Sequence, residues 1–214
     1  MQTIPDILIK FLNATHEVFI MGPMPVKTKF LDEFFSQHPD CPIIYIDSGS
    51  KNYHRPGLSI GDGDSSKKKC DIAFSSEKNY TDLEGALRIL PPSIKIIHGA
   101  GLVGGRLDHQ LVVIQDFLNH VREHKSKIFH YGDDILHFLP EGSHQMELNS
   151  LFSILSDKKQ TISIQGNCRF QVKNLTLLPF SGHGISNEGM GALEIINSKA
   201  IALMVISNNL DRGI

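Results

Sequence analysis

Residues 94–109 read IKIIHGAGLVGGRLDH. A short apolar run, 94–98, ends in glycine. Gly99, Gly101, Gly104 and Gly105 then crowd a single turn, and an amphipathic stretch follows. An apolar run of strand length, a glycine-rich turn and a 3.6-residue periodicity predict a buried strand, a tight turn and a helix. The helix is expected over 105–123, with Leu107, Leu111, Ile114, Leu118 and Val121 as its inner stripe. A strand that feeds directly into a helix is half of a βαβ unit, so the flanking sequence decides whether the sheet is parallel.

Upstream the same alternation recurs. Strands are expected at 17–21, 42–46, 58–60 and 70–74. A helix is expected at 27–37, with Phe30, Leu31 and Phe34 on one face. A second lies at 81–90, where Thr81 is a good N-cap, Glu84 its capping-box partner and Pro91-Pro92 the stop. Downstream, 127–131 returns as a strand. Alternating strands and helices imply a parallel sheet covered on both faces. After Gly132 the texture changes. Short strand-like runs at 144–148, 161–164, 175–178, 193–196 and 201–206 are separated by Gly, Asn, Asp and Ser. This predicts an antiparallel β-sandwich. The expected fold is therefore α/β plus all-β: an N-terminal parallel-sheet α/β domain over 1–132 and a C-terminal antiparallel β-sandwich over 133–214. The boundary falls near Gly132-Asp133-Asp134.

Composition narrows the function. The chain has 214 residues, 41% apolar and 21% charged, with a formal net charge of -2. That balance predicts no nucleic-acid footprint, and the one basic run, Lys67-Lys68-Lys69, reads as a solvated turn or, beside GDGDSS, as a phosphate contact. The three cysteines, Cys41, Cys70 and Cys168, are widely spaced and form no CxxC, against a disulfide framework or structural zinc site. The eleven histidines are read as surface or hydrogen-bonding residues. The start lacks a signal-peptide pattern, and the apolar run 200–206 is too short to span a bilayer. A cytoplasmic protein is expected.

Ligands of open parallel sheets bind at the carboxyl ends of the strands. Four polar clusters fall at such ends: Asp47-Ser48-Gly49-Ser50, Asp62 and Asp64 within GDGDSS, 77–82, and the glycine-rich turn running into Arg106, Asp108 and His109. Closely spaced carboxylates repel unless a cation lies between them. Magnesium takes one or two carboxylates together with phosphate oxygens, and a helix N-terminus offers N–H groups to an anion. Arg106, at a helix start, is unfavourable on dipole grounds. It points either to a bound phosphate or to an arginine folded back onto Asp108. The spacing Gly99-x-Gly101-x-x-Gly104 also matches the dinucleotide fingerprint, but it follows several earlier βα units, so it is not read as an NAD site.

In order along the chain, IGDGDSS, EKNYTDLEGAL, GLVGGRLDH, LPEGSH and GISNE resemble the thiamin pyrophosphokinase (thiamin diphosphokinase) family, over about 21–206. The resemblance implies transfer of pyrophosphate from ATP to thiamin, giving thiamin diphosphate and AMP. It also implies a homodimer with sites at the interface, each using the α/β domain of one chain and the sandwich of the other. Asp62, Asp64 and Asp82 would bind magnesium. Asp47, Lys78, Thr81, Arg106 and His109 would meet the nucleotide, with Arg106 and Asp108 joining the three metal ligands in catalysis. Phe170, Ser186 and Asn187 would contact thiamin. No nucleic acid or membrane partner is implied. The chain departs from the family pattern at Glu77, Asn79 and Gly63, and it carries Phe170 as the sandwich aromatic, with no Trp anywhere. Two other readings follow: a related magnesium-dependent pyrophosphokinase with a different alcohol acceptor, and a non-catalytic nucleotide- or thiamin-binding protein.

Overall fold

In a computed structural model, residues 4–13, 15–63 and 69–206 are described. Six strands form the parallel half: β1 (Glu17–Met21), β2 (Ile43–Ile46), β3 (Leu58–Gly61), β4 (Ile72–Ala73), β5 (Ile96–Ala100) and β6 (Lys127–Tyr131). Their order across the sheet is β4-β3-β2-β1-β5-β6. The chain thus steps outward from β1 to β4, then returns to the other side of β1 as β5. The neighbours β1 and β5 mark the point where the winding direction reverses, the place where open α/β sheets usually bind their ligands.

Residue alternation along β1 explains the layers. Val18 and Ile20 face a core shared with α1 (Asp6–Leu12), α3 (Asp82–Ile89) and α4 (Leu107–His124). Phe19 and Met21 face the opposite core, filled by Leu31, Phe34 and Phe35 of α2 (Thr28–Gln37). A period-two pattern with apolar residues on both faces demands cover on both faces. The expected stripe of α4 is only partly correct. Leu118 and Val121 are buried with Val113 and Phe117, but Leu107 is 70% and Leu111 53% exposed. The buried face also carries Asp116 and His120, so counting apolar residues alone rotated the helix.

A hairpin at 132–134 joins β6 to the antiparallel strand β7 (Ile135–Leu139), and the sheet continues through it. It is extended by β13 (Ile201–Val205) and β9 (Leu151–Leu155). The remaining strands, β8 (Gly142–Leu148), β10 (Gln160–Cys168) and β11 (Val172–Leu177), assemble around β12 (Asn187–Asn197) as a second sheet. The first two residues of β12 pair with β9, and the rest pair with β8 and β10, so this one strand passes from sheet to sheet. Alternation again assigns the faces. Leu136, Phe138 and Ala202 look toward α4, while Leu139, Ile201 and Leu203 look into the core between the sheets.

Histidine burial was not anticipated: His98, His120, His130 and His144 are all buried. His130 Nε2 accepts from the backbone N–H groups of Leu102 and Val103, at 3.3 and 3.2 Å, and so braces the glycine-rich turn. Burial pushes the His130 ring down to about 4. Burial, then the neighbouring His124, pushes His120 down to about 3. Among the described residues no helix is long and apolar enough to cross a membrane, and the three cysteines are free and buried. The two rings bind protons less readily in the folded than in the unfolded chain. Stability should therefore fall as pH drops from about 6.5 toward 4, by up to about 2 kcal/mol per ring at pH 5. Urea unfolding at pH 7 and pH 5 measures the loss; a level unfolding free energy would contradict the neutral buried rings.

Candidate active site

At the carboxyl ends of the parallel strands lies a cleft of about 740 Å³. Each polar cluster expected there contributes to its wall. Asp47 follows β2, Asp62 follows β3, and Thr81 and Asp82 open α3. Gly104, Arg106, Asp108 and His109 come from the turn after β5 and the start of α4.

The floor is a carboxylate cluster. Asp47, Asp62 and Asp82 each offer an oxygen within 4.8 Å of the others. Asp47, expected as a nucleotide contact, thus stands among the expected metal ligands. Asp64 and the run Lys67-Lys68 lie outside the described residues. The cluster depends on backbone detail. Asp47 has φ 53°, in the left-handed region, and its N–H donates to Ile60 O at 3.1 Å, tying it to β3. Gly61 lacks a Cβ where one would stand 3.2 Å from Asp47 Oδ1 and 3.4 Å from Asp82 Oδ2. A side chain at Gly61 would press on the carboxylates. Lys78 is the counter-charge: Nζ donates to Asp62 Oδ2 at 2.6 Å and pairs with Asp82 Oδ1 at 3.0 Å, with its side chain only 7% exposed. Burial pulls the ammonium's pKa down, but the contacts with Asp62 and Asp82 outweigh it and the net shift is upward. Lys78 stays charged. Buried Asp82 Oδ1 has the Lys78 ammonium as its partner.

This donor set fits a hard divalent cation. All three ligands are carboxylate oxygens, which magnesium prefers. The absence of a Cβ at Gly61 keeps the space against Asp47 Oδ1 and Asp82 Oδ2 clear. Glu77 and Asn79, where the chain departs from the family pattern, are exposed, and the cleft is lined by Lys78 between them.

The opposite wall is the winding-reversal point. Gly22, after β1, approaches Gly101 so closely that a Cβ would lie 2.2 Å from Gly101 O. Two backbone bonds lock the approach, Gly22 N–H to Ala100 O at 2.8 Å and Met24 N–H to Gly101 O at 2.9 Å. Of the two readings of Arg106, the structure shows the folded-back one. Its guanidinium grips Asp108, with Nε to Oδ1 at 3.1 Å and Nη2 to Oδ2 at 2.5 Å, and its side chain is 73% exposed at the cleft mouth. That hydrogen bonding holds the Asp108 carboxyl at about 2.

Sequence reading missed Asp116. It lies on the buried face of α4, and its Oδ2 accepts from Thr81 Oγ1 at 2.8 Å. Thr81 Oγ1 in turn accepts from Glu84 N–H at 2.9 Å as the cap of α3. The Glu84 carboxylate goes to Arg88, so only one half of the capping box is made that way. Burial pushes the Asp116 carboxyl up to about 6. The available signal was an acid standing on the stripe between Val113 and Phe117. Because one hydroxyl serves both helix and acid, Thr81→Ala should cost about 1 kcal/mol for the cap and a further 1–3 kcal/mol, roughly, for the stranded carboxylate. Urea unfolding tests this; a loss below about 0.5 kcal/mol would contradict the shared role.

The residues expected to meet thiamin form a separate group. Phe170 is 54% exposed in the turn between β10 and β11. Asn187 clamps that turn, accepting from Phe170 N–H at 3.0 Å and donating to Phe170 O at 2.8 Å. Ser186 has φ 59° and its N–H donates to Ser153 Oγ at 3.1 Å. None of the three lines the cleft of this chain.

No protein-family model and no curated protein sequence matches the chain. Solved structures do. A thiamine pyrophosphokinase from Bacillus subtilis superposes with a TM-score of 0.69 at 21% identity, over 91% of this chain and 100% of that one. Thiamin pyrophosphokinase from Candida albicans gives 0.72 at 15% identity, over 93% and 91%. Yeast thiamin pyrophosphokinase gives 0.71 at 14%, over 92% and 88%. The mixed α/β and antiparallel architecture of this chain is the fold of these thiamin pyrophosphokinase structures.

Proposed function

We propose that the chain transfers the pyrophosphoryl group of ATP to the hydroxyl of thiamin. The thiamin oxygen attacks the β-phosphorus, the bond from that phosphorus to the α,β-bridging oxygen breaks, and AMP leaves. The observation that carries this reading is the cluster of Asp47, Asp62 and Asp82 around Lys78, placed across the cleft from the glycine-rich turn. Carboxylates for a cation and backbone for phosphates, on a fold shared with thiamin pyrophosphokinases, match that chemistry.

Asp47, Asp62 and Asp82 would hold magnesium, which when bound neutralises phosphate charge and polarises the phosphoryl group. Lys78 contributes a fixed positive charge beside it. The N-terminus of α4 and the backbone of the turn offer donors to the phosphates. Arg106 stands at the mouth, where an incoming triphosphate competes with Asp108 for the guanidinium. Asp108 pairs with Arg106 in the free chain and orients its guanidinium at the mouth. The hydroxyl gives up its proton late, to a phosphate oxygen or to water, as the new bond to the β-phosphorus forms, while positioning and electrostatic stabilisation supply most of the rate. Thiamin would be completed by Phe170, Ser186 and Asn187 of a second copy, since these residues stand apart from the cleft within one chain.

The direct test is purified protein with ATP, magnesium and thiamin, with AMP and thiamin diphosphate measured together. Equal amounts of both are expected. AMP that forms only with another alcohol would replace thiamin as acceptor, and ATP binding without AMP would reduce the role to binding. Asp62→Asn should lower turnover by roughly 100-fold or more while circular dichroism stays unchanged. A folded variant with parental turnover would remove Asp62 from the site.

A further inference from the structure

A second constellation lies at the other end of the parallel sheet. Glu17 opens β1, His38 caps the carboxyl end of α2, and His98 lies in β5 on the face packed by α2. One carboxylate oxygen and one nitrogen from each ring lie within 4.8 Å of one another. We propose that Glu17, His38 and His98 form a three-ligand zinc site, separate from the cleft and independent of the function assigned to it.

Two imidazoles and one carboxylate are a donor set typical of zinc, with a fourth position left for water or an external ligand. The spacing suits an ion. His38 Nδ1 lies 3.3 Å from both Glu17 oxygens, and His98 Nε2 lies 3.3 Å from Oε2, contacts that are also within hydrogen-bonding reach. Ligands about 2.0–2.1 Å from a tetrahedral zinc stand roughly 3.3–3.4 Å apart. The surroundings match those of a metal-bound histidine. His98 Nδ1 lies 3.0 Å from Tyr131 Oη, so donation to the phenol would direct the Nε2 lone pair toward the site, the usual outer-shell device. Phe34 and Phe129 pack on the His98 ring at centroid distances of 4.8 and 5.9 Å. His38 and Glu17 keep about a third of their side-chain surface exposed, at 35% and 29%, so the site has an entry path.

The test uses the whole chain, freed of metal with a chelator. Cobalt(II) is added as a spectroscopic probe and zinc against a chromophoric chelator, in an Asp62→Asn background that suppresses binding at the cleft. One equivalent is expected, with the intense visible absorption of low-coordinate cobalt. His38→Ala should abolish it, at a partly exposed helix end that tolerates the change. Glu17→Gln, which can still hydrogen-bond both rings, should abolish it too. Tyr131→Phe should weaken binding roughly 10–100-fold by removing the outer-shell partner. No stoichiometric binding would overturn the site. So would binding unchanged in His38→Ala and Glu17→Gln, which would leave the cluster as a hydrogen-bonded network.

Discussion

Asp47, Asp62 and Asp82 are held within 4.8 Å of one another, and most of the cleft can be understood as the answer to their repulsion. Two like charges about 4 Å apart repel by roughly 4 kcal/mol at an effective dielectric of about 20. A fold meets such a cost only if it supplies opposite charge and rigid supports. Lys78 supplies one cation, nearly buried between Asp62 and Asp82. The supports come from three different strand and helix ends. They include a left-handed backbone at Asp47 and a glycine at position 61, where a Cβ would intrude. Asp82 is fixed less directly: Thr81 caps its helix and is itself anchored on Asp116 of the next helix. A cluster assembled against its own repulsion is the feature on which the proposed magnesium site rests.

The sheet makes this arrangement possible. Strand order reverses between β1 and β5, and the loops after these two strands together form one wall of the cleft. Gly22 and Gly101 bring the two loops into contact, and His130 fastens the second from below. The same sheet then runs on into antiparallel strands, and β12 leaves it to build the second layer. Alternation of residues on β7 and β13 allows one set of strands to serve two cores at once.

Much of this was legible in the sequence, for identifiable reasons. Strands β1, β2, β5 and β6 are short apolar runs with clear stops, and Thr81 announced the start of α3. Polar clusters at strand ends located the cleft, because parallel topology brings those ends together whatever the loop lengths. The orientation of α4 was not legible. Asp116 and His120 occupy its buried face, whereas Leu107 and Leu111 lie outside it. Apolar periodicity cannot register a buried acid whose partner, Thr81, is 35 residues away. Nor could it show that Asp47 joins Asp62 and Asp82, since that depends on the lateral pairing of β2 with β3. Glu17, His38 and His98 escaped for the same reason: they are distant in sequence and meet only through the pairing of β1 with β5 and the packing of α2.

The central claim is that this carboxylate cluster and the glycine-rich turn together hold a magnesium-bound triphosphate. A crystal structure grown with magnesium and α,β-methylene ATP, in which carbon replaces the bridging oxygen to be cleaved, tests it most directly. The account predicts metal density against Asp47, Asp62 and Asp82, with the phosphates reaching the turn at 101–105 and Arg106 released from Asp108. Nucleotide bound elsewhere, with the cluster and its pairing to Lys78 unchanged, would contradict it.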